Sequence, residues 1–284
     1  MYAETIALIA AACFGIAAVM LKKGYVYSTP IAANIVVLLV NVAVLWVFAL
    51  VTVPLHLFFT TGAIFFGIGG ILGQALARTL QYTGIEKVGP AHSHTVLGTT
   101  ALFAAFFAMV FLDERWTLSM FIGTVLVIGG VALLAGEKNK GRWKKKHLLY
   151  PLSAAMAYGL VALIQKLGLE IVPHAIVGVT TATTAALIGM LLFAGVAGKL
   201  QKLTVKKALP FFVAAGIGNS AALFLYFEAL RTGAVTVVFP LLATQALFTV
   251  VFSFFLLKGI EKITWNVVVG ASVVVMGVVM ITVF

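Results

Sequence analysis

The chain has 284 residues, of which 63% are hydrophobic and only 10% charged, with a mean hydropathy of +1.16. A soluble domain is roughly half apolar and about a quarter charged, so this balance calls for lipid as the solvent. The formal net charge of +11 falls mostly between apolar stretches. That excludes a nucleic-acid-binding protein and points to topology signals and anionic headgroups.

Stretches of about 20 mostly apolar residues, the length needed to cross a bilayer, predict ten spans. They cover 3–21, 31–53, 60–80, 90–112, 117–135, 147–165, 172–197, 209–230, 234–257 and 264–284. The first is read as a retained helix, because no short apolar core followed by a small-residue cleavage site precedes it. The lone Cys13 forms no internal disulfide. The one long polar break runs from Glu137 to His147 as EKNKGRWKKKH. It divides the chain into a first five-helix repeat (1–136), a basic linker (137–147) and a second five-helix repeat (148–284).

Matched features recur in order in the two halves. Phe14-Gly15 leads to Lys22-Lys23-Gly24, and Tyr158-Gly159 leads to Lys166-Leu167-Gly168. Gly67-Ile68-Gly69, running to Thr83-Gly84, has a counterpart in Gly216-Ile217-Gly218, running to Thr232-Gly233. Pro90 and Pro240 sit early in the fourth and ninth spans, and Gly123 and Gly130 match Gly270 and Gly277. A duplicated unit with an odd number of spans must enter the membrane from opposite sides. The expectation is therefore an all-α membrane protein, ten transmembrane helices in two inverted repeats around a central cavity. Such repeats alternate access to a shared site in many secondary transporters.

GIAAVMLKKG in the first span, FLDERWTLSMFIGTVLVIGGVALLAG across the fourth and fifth, ALRTGAVTVVFPLLATQALFTVVFSFFLLKG in the second half and the glycine-spaced last helix carry a likeness. The chain resembles the drug/metabolite transporter superfamily, in its ten-helix EamA-like members. The resemblance covers essentially the whole chain and implies a pseudo-symmetric bundle with a central cavity lined from both halves. It implies carriage of amino acids, sugar or nucleotide conjugates, or other metabolites. The hallmark acidic residue after the fourth span is Glu114; after the ninth, Lys258 comes first and Glu261 later.

All but Arg115, Lys166 and Arg231 of the 19 Lys and Arg residues lie in the odd-numbered connections. The positive-inside rule then puts 137–147 in the cytoplasm and both termini outside, in a multi-pass protein of the plasma membrane. The family resemblance implies the reverse orientation.

Polar side chains inside spans are costly unless they face the bundle interior or a wet cavity. Asn34 and Asn41 share a face of the second span, and Gln74 and Arg78 a face of the third. His92, His94, Thr99 and Thr100 crowd the fourth; Thr180, Thr181, Thr183 and Thr184 interrupt the seventh. Asn219, Ser220, Tyr226 and Glu228 follow in the eighth, and Gln245 and Thr249 in the ninth. The expected site joins Asn41, Gln74, Thr99, Asn219 and Gln245 in a common cavity, with Arg78, His94, Tyr158 and Glu228 at its margins. The plainer roles are backbone bonding for the threonines, headgroup contact for Arg78 and Glu228, and interfacial anchoring for Tyr158.

No metal is expected: His92 and His94 are two apart and point to different faces of a helix. No cofactor is expected either, and the absence of G-x-x-x-x-G-K-[ST] leaves a gradient or exchange as the energy source. With only 8 acidic residues, mostly in connections, an enzyme is not the expectation. The expected function is export or exchange of a small polar metabolite, an amino acid or related zwitterion or anion, by alternating access. The expected partners are that substrate, a coupling proton or counter-substrate, and membrane lipids, with the chain a monomer or weak dimer. The alternatives are multidrug or organic-cation efflux and a lipid-handling protein, the latter marked by a cavity open sideways to lipid.

Overall fold

Within a bilayer, backbone polar groups must be satisfied inside each segment, and long apolar runs therefore become helices. A computed structural model describes residues 2–88, 96–135, 145–196, 205–256 and 265–283. Helix α1 is Tyr2–Tyr25 and α2 is Pro30–Thr52. At the start of α2, Thr29 caps by accepting from the Ala32 N–H, and Pro30 stands where no intrahelical N–H is needed. Helix α3 begins as Thr61–Gly70, widens into a π-helical stretch at Ile71–Ala77 and continues as Arg78–Val88. Next come α4 (Thr100–Phe111), α5 (Leu118–Ala135), α6 (Leu149–Ile171), α7 (Ala175–Val196) and α8 (Leu209–Thr232). Helix α9 is broken at Thr244 into Val235–Ala243 and Gln245–Leu256, and α10 is Trp265–Val283. Pro240 has no N–H to give to the α9 ladder, and the Thr244 hydroxyl bonds Leu241 O at 2.6 Å at the break.

Among the described residues, seven helices are long and apolar enough to cross a membrane. Three shorter apolar ones, Thr100–Phe111, Leu118–Leu133 and Val269–Thr282, stand where the fourth, fifth and tenth spans are expected. The observed ends differ from the expected ones chiefly at α3 and α6. Both run on past the apolar window, α3 to Val88 and α6 to Ile171, because polar residues at helix ends still complete the hydrogen-bond ladder.

The helices pack in pairs that repeat when helix numbers are shifted by five. Helix α1 lies on α8 and α6 on α3; α1 lies on α9 and α6 on α4; α2 lies on α8 and α7 on α3. Helices α5 and α10 pack on each other, as do α2 and α7. Small residues set these approaches, as expected where packing rather than water drives association. A Cβ on Gly15 would stand 2.8 Å from Phe248 Cβ, and one on Gly159 2.7 Å from Phe103 Cβ. The rings of Phe212 and Phe66 lie against Gly24 and Gly168 in the same way. At the α5–α10 crossing a Cβ on Gly123 or Gly130 would stand 2.8 Å from the carbonyl oxygen of Gly277 or Gly270, respectively.

Gly233, after α8, meets Ala3 at the start of α1, and Gly24, near the end of α1, meets Phe212 near the start of α8. Those two helices are therefore antiparallel. One face of the bundle thus holds the start of α1 and the end of α8. The largest apolar cluster draws on both halves toward this face, with Ile6, Phe66, Leu169, Phe227, Leu230 and Val235 all buried. Toward the opposite face, among the described residues, two smaller clusters form around Leu38 with Met190 and around Ala33 with Phe212.

Candidate functional site

The polar side chains of α2 are held by three other helices. Asn41 is fully buried and reaches α8. With its amide nitrogen turned toward α8, Nδ2 donates to Ser220 Oγ at 3.0 Å, Gly216 O at 2.9 Å and Val37 O at 3.2 Å. Its Oδ1 then accepts from Asn219 Nδ2 at 2.8 Å. One turn-pair earlier, Asn34 Oδ1 accepts from Arg78 Nη1 on α3. Near the other end, Trp46 Nε1 donates to Thr184 Oγ1 on α7 at 3.0 Å.

Helix α3 carries a polar stripe of Gln74, Arg78 and Gln81, spaced four and three residues apart. Tyr158 of α6 donates its hydroxyl to Gln81 Oε1 at 2.9 Å. Gln74 lies in the π-helical stretch, and its Oε1 is enclosed with no hydrogen-bond partner among the described residues. Thr180 and Thr181 of α7 carry enclosed hydroxyls in the same condition. An enclosed polar atom left unpaired costs about 1–3 kcal/mol and calls for a partner; Ser28, Trp116, His147 and Ser253 carry such atoms as well. π-helical turns inside α-helices are frequent at functional sites.

The expected site is thus gathered in part. Asn41 and Asn219 meet. Arg78, on the α3 stripe, binds Asn34, and Tyr158 binds Gln81 of the same stripe. Thr99 bonds its own chain, through Val96 O at 2.6 Å, and lines a groove of about 500 Å³ between α4 and α6 with Leu102, Phe106, Leu152 and Met156. Gln245 is exposed at the start of the second α9 segment. Glu228 pairs with Arg231, three residues on, at the end of α8. His94, with His92, lies outside the described residues.

Several polar links were not assigned from sequence. Tyr226 donates to Gln165 Oε1 at 2.7 Å, both buried. Glu114 and Lys166 bind backbone at the α8–α9 corner. Gln165 is an uncharged polar residue deep in a span, a signal of the same kind as Gln74. Glu114 is noted in the sequence for its position, but its contacts are made 121 residues away in the chain and leave no local trace.

Amides, hydroxyls and one guanidinium thus lie inside a bundle of apolar helices, seven of which are long enough to cross a membrane among the described residues. The EamA-like transporter family matches residues 1–136 and again residues 145–283. The chain belongs to that family, and its two halves are two copies of the family's unit. Among solved structures, 29 chains match. One, titled only "Crystal structure of protein", has a TM-score of 0.83 at 15% identity, covering 99% of this chain and 97% of that one. At that identity the likeness speaks for the fold alone. No curated protein matches the chain.

Proposed function

We propose that the protein is a secondary transporter of the plasma membrane that exports or exchanges a small polar metabolite, an amino acid or related zwitterion or anion. The observation that carries this reading is Gln74. An enclosed amide oxygen without a partner sits one turn from Arg78, so a substrate ammonium or N–H has an acceptor and a substrate carboxylate has a guanidinium. Asn41 and Asn219 join α2 of one half to α8 of the other, and the reading assigns both amides to the same site. Thr99 and Gln245 belong to the same proposed cavity, with His94, Tyr158 and Glu228 at its margins. A coupling proton or counter-substrate supplies the energy.

Ten spans and an inverted relation between the halves complete the reading. Support for inversion comes from helix ends: the start of α1 and the end of α6 both lie at the end of α8, through Ala3–Gly233 and Lys166–Leu230. First and sixth helices therefore run oppositely, which alternating access by inverted repeats needs. The charge count orients the face bearing 137–147 to the cytoplasm.

The test is transport in proteoliposomes after screening purified protein against a metabolite panel by thermal stabilisation, since a ligand of the folded state raises its stability. Stabilisation by amino acids, lost in Gln74→Leu, is the expected result. A second reading, lipid handling, is favoured by the α4–α6 groove, whose lining residues Phe106 and Met156 are 52% and 51% exposed on the bundle's outside. Lipid scrambling without metabolite transport is the result that selects it.

A further inference from the structure

We infer that Glu114 and Lys166 are positioning residues of the transport cycle, clamping the α8–α9 corner so that the bundle stays closed on the face where α1 begins. The inference rests on the transporter reading.

Glu114 follows α4 in the first half, and its contacts lie in the second. Asp113, at φ 52°, takes the left-handed position that ends α4, and the Glu114 N–H turns back to Ala108 O at 3.4 Å. Asp is one of the few side chains that tolerates this conformation. The turn delivers the Glu114 carboxylate to the start of α9. There Oε1 accepts from the Val235 N–H at 2.8 Å, and Oε2 accepts from the Thr236 N–H and hydroxyl, both at 2.9 Å. The residue before α9 is Ala234, whose side chain makes no capping bond. Glu114 therefore does from another helix what a Ser or Asp does locally. It satisfies exposed N–H groups and sets a negative charge at the positive end of the helix.

Lys166 secures the other side of the corner. Its Nζ donates to Leu230 O at 2.7 Å and Gly233 O at 2.8 Å, carbonyls left without helical partners where α8 ends. Each charge thus suits the helix end it meets. Glu170 lies one turn from Lys166, while Glu228 and Arg231 are occupied with each other. Beneath the corner, Leu230, Val235, Val238 and Leu241 are fully buried. Glu114 ties the end of α4 to the start of α9 by hydrogen bonds, over helices that also pack on each other. The break at Thr244 leaves Val235–Ala243 as a short segment able to move as a unit once its start is released.

Sided cysteine accessibility tests the inference. In a background with Cys13 replaced by Ser, Ala7→Cys places a probe in the apolar cluster beneath the clamped face. Ala33→Cys places one in the cluster toward the opposite face. Glu114→Ala and Lys166→Met are expected to raise maleimide labelling at position 7 about five- to tenfold, the effect of losing a helix cap, with position 33 unchanged. Glu114→Gln, which keeps an acceptor and removes the charge, should give a smaller rise. It also serves where the alanine variant does not fold. Glu114→Asp should restore part of the protection. Equal rises at both positions mean general loosening and overturn the inference, as does no rise at position 7. The assay needs no substrate, so its outcome is separate from success or failure in finding a transported metabolite.

Discussion

Replacing Asn41 and Asn219 by leucine, singly and together, probes the polar link between α2 and α8. Asn219→Leu removes the N–H that Asn41 Oδ1 accepts at 2.8 Å and leaves an acceptor bare inside a fully buried side chain. Asn41→Leu removes more: the Asn219 partner, the Ser220 bond and two bonds to backbone carbonyls. Ser220 keeps Gly216 O, at 2.9 Å, in either case. Interhelical hydrogen bonds in membranes average about 0.6 kcal/mol and reach about 1.7, while a buried unpaired group costs about 1–3 kcal/mol. Asn219→Leu should therefore cost about 1 kcal/mol and Asn41→Leu about 2 kcal/mol. In the double variant neither amide is left to be orphaned, so the two costs should fall short of additivity by about 1 kcal/mol. Reversible unfolding in mixed micelles measures all three. Costs that add to within about 0.3 kcal/mol would mean that the two amides do not meet, and the polar link between α2 and α8 would fall with them.

Gln74→Leu should fold normally, because it removes an unpaired acceptor, and should lower proteoliposome transport about tenfold or more, the equivalent of one buried hydrogen bond to substrate. Arg78→Gln should weaken transport of anionic and zwitterionic substrates and spare neutral ones, read by competition between labelled substrates. Gly130→Val should destabilise the α5–α10 crossing by about 1–3 kcal/mol, since its Cβ meets the Gly270 carbonyl oxygen at 2.8 Å; a melting temperature equal to that of the unaltered protein would refute the close approach. In a background with Cys13 replaced, single cysteines at Asn139 and Thr117 report orientation on intact cells. The charge count expects an impermeant thiol reagent to label position 117 only, and labelling of position 139 alone reverses the orientation.

Much of the architecture is legible in the sequence because lipid makes the rule simple: long apolar runs become helices, and duplicated glycines mark duplicated contacts. Gly123, Gly130, Gly270 and Gly277, picked out by spacing alone, prove to be the α5–α10 crossing itself. The same glycines also set the register of the acidic residues. Glu114 stands nine residues before Gly123, and Glu261 nine before Gly270, so the extra residues that displace Glu261 from the ninth span fall ahead of it. Two features were hidden. The π-helical stretch at Ile71–Ala77 and the break at Thr244 change backbone hydrogen bonding without changing apolar periodicity. Glu228 stands out in the sequence as an acid within a span, yet a hydropathy window does not register that Arg231 follows at helical spacing and answers its charge.

The two copies have diverged unevenly, and the unevenness bears on selectivity. Helices α3 and α8 hold equivalent places, each packed on the first helix of the other half. On α3 the stripe past the midpoint is Gln74, Arg78 and Gln81, with Asn34 and Tyr158 as partners. On α8 the corresponding stretch turns aromatic: Tyr226 and Phe227 stack edge to face, and Phe227 meets Phe66 in the same way. Contacts that hold the fold are kept in both copies, because a glycine at a crossing has no substitute. Side chains lining the space between the copies are under no such constraint. At this level α8 presents rings where α3 presents amides and a guanidinium. Alternating access, as proposed, would call for both kinds of surface. On the proposed reading, substrate choice resides chiefly in α3, and exchanging Arg78 or Gln74 should change what is recognised while leaving the glycine contacts that set the bundle in place.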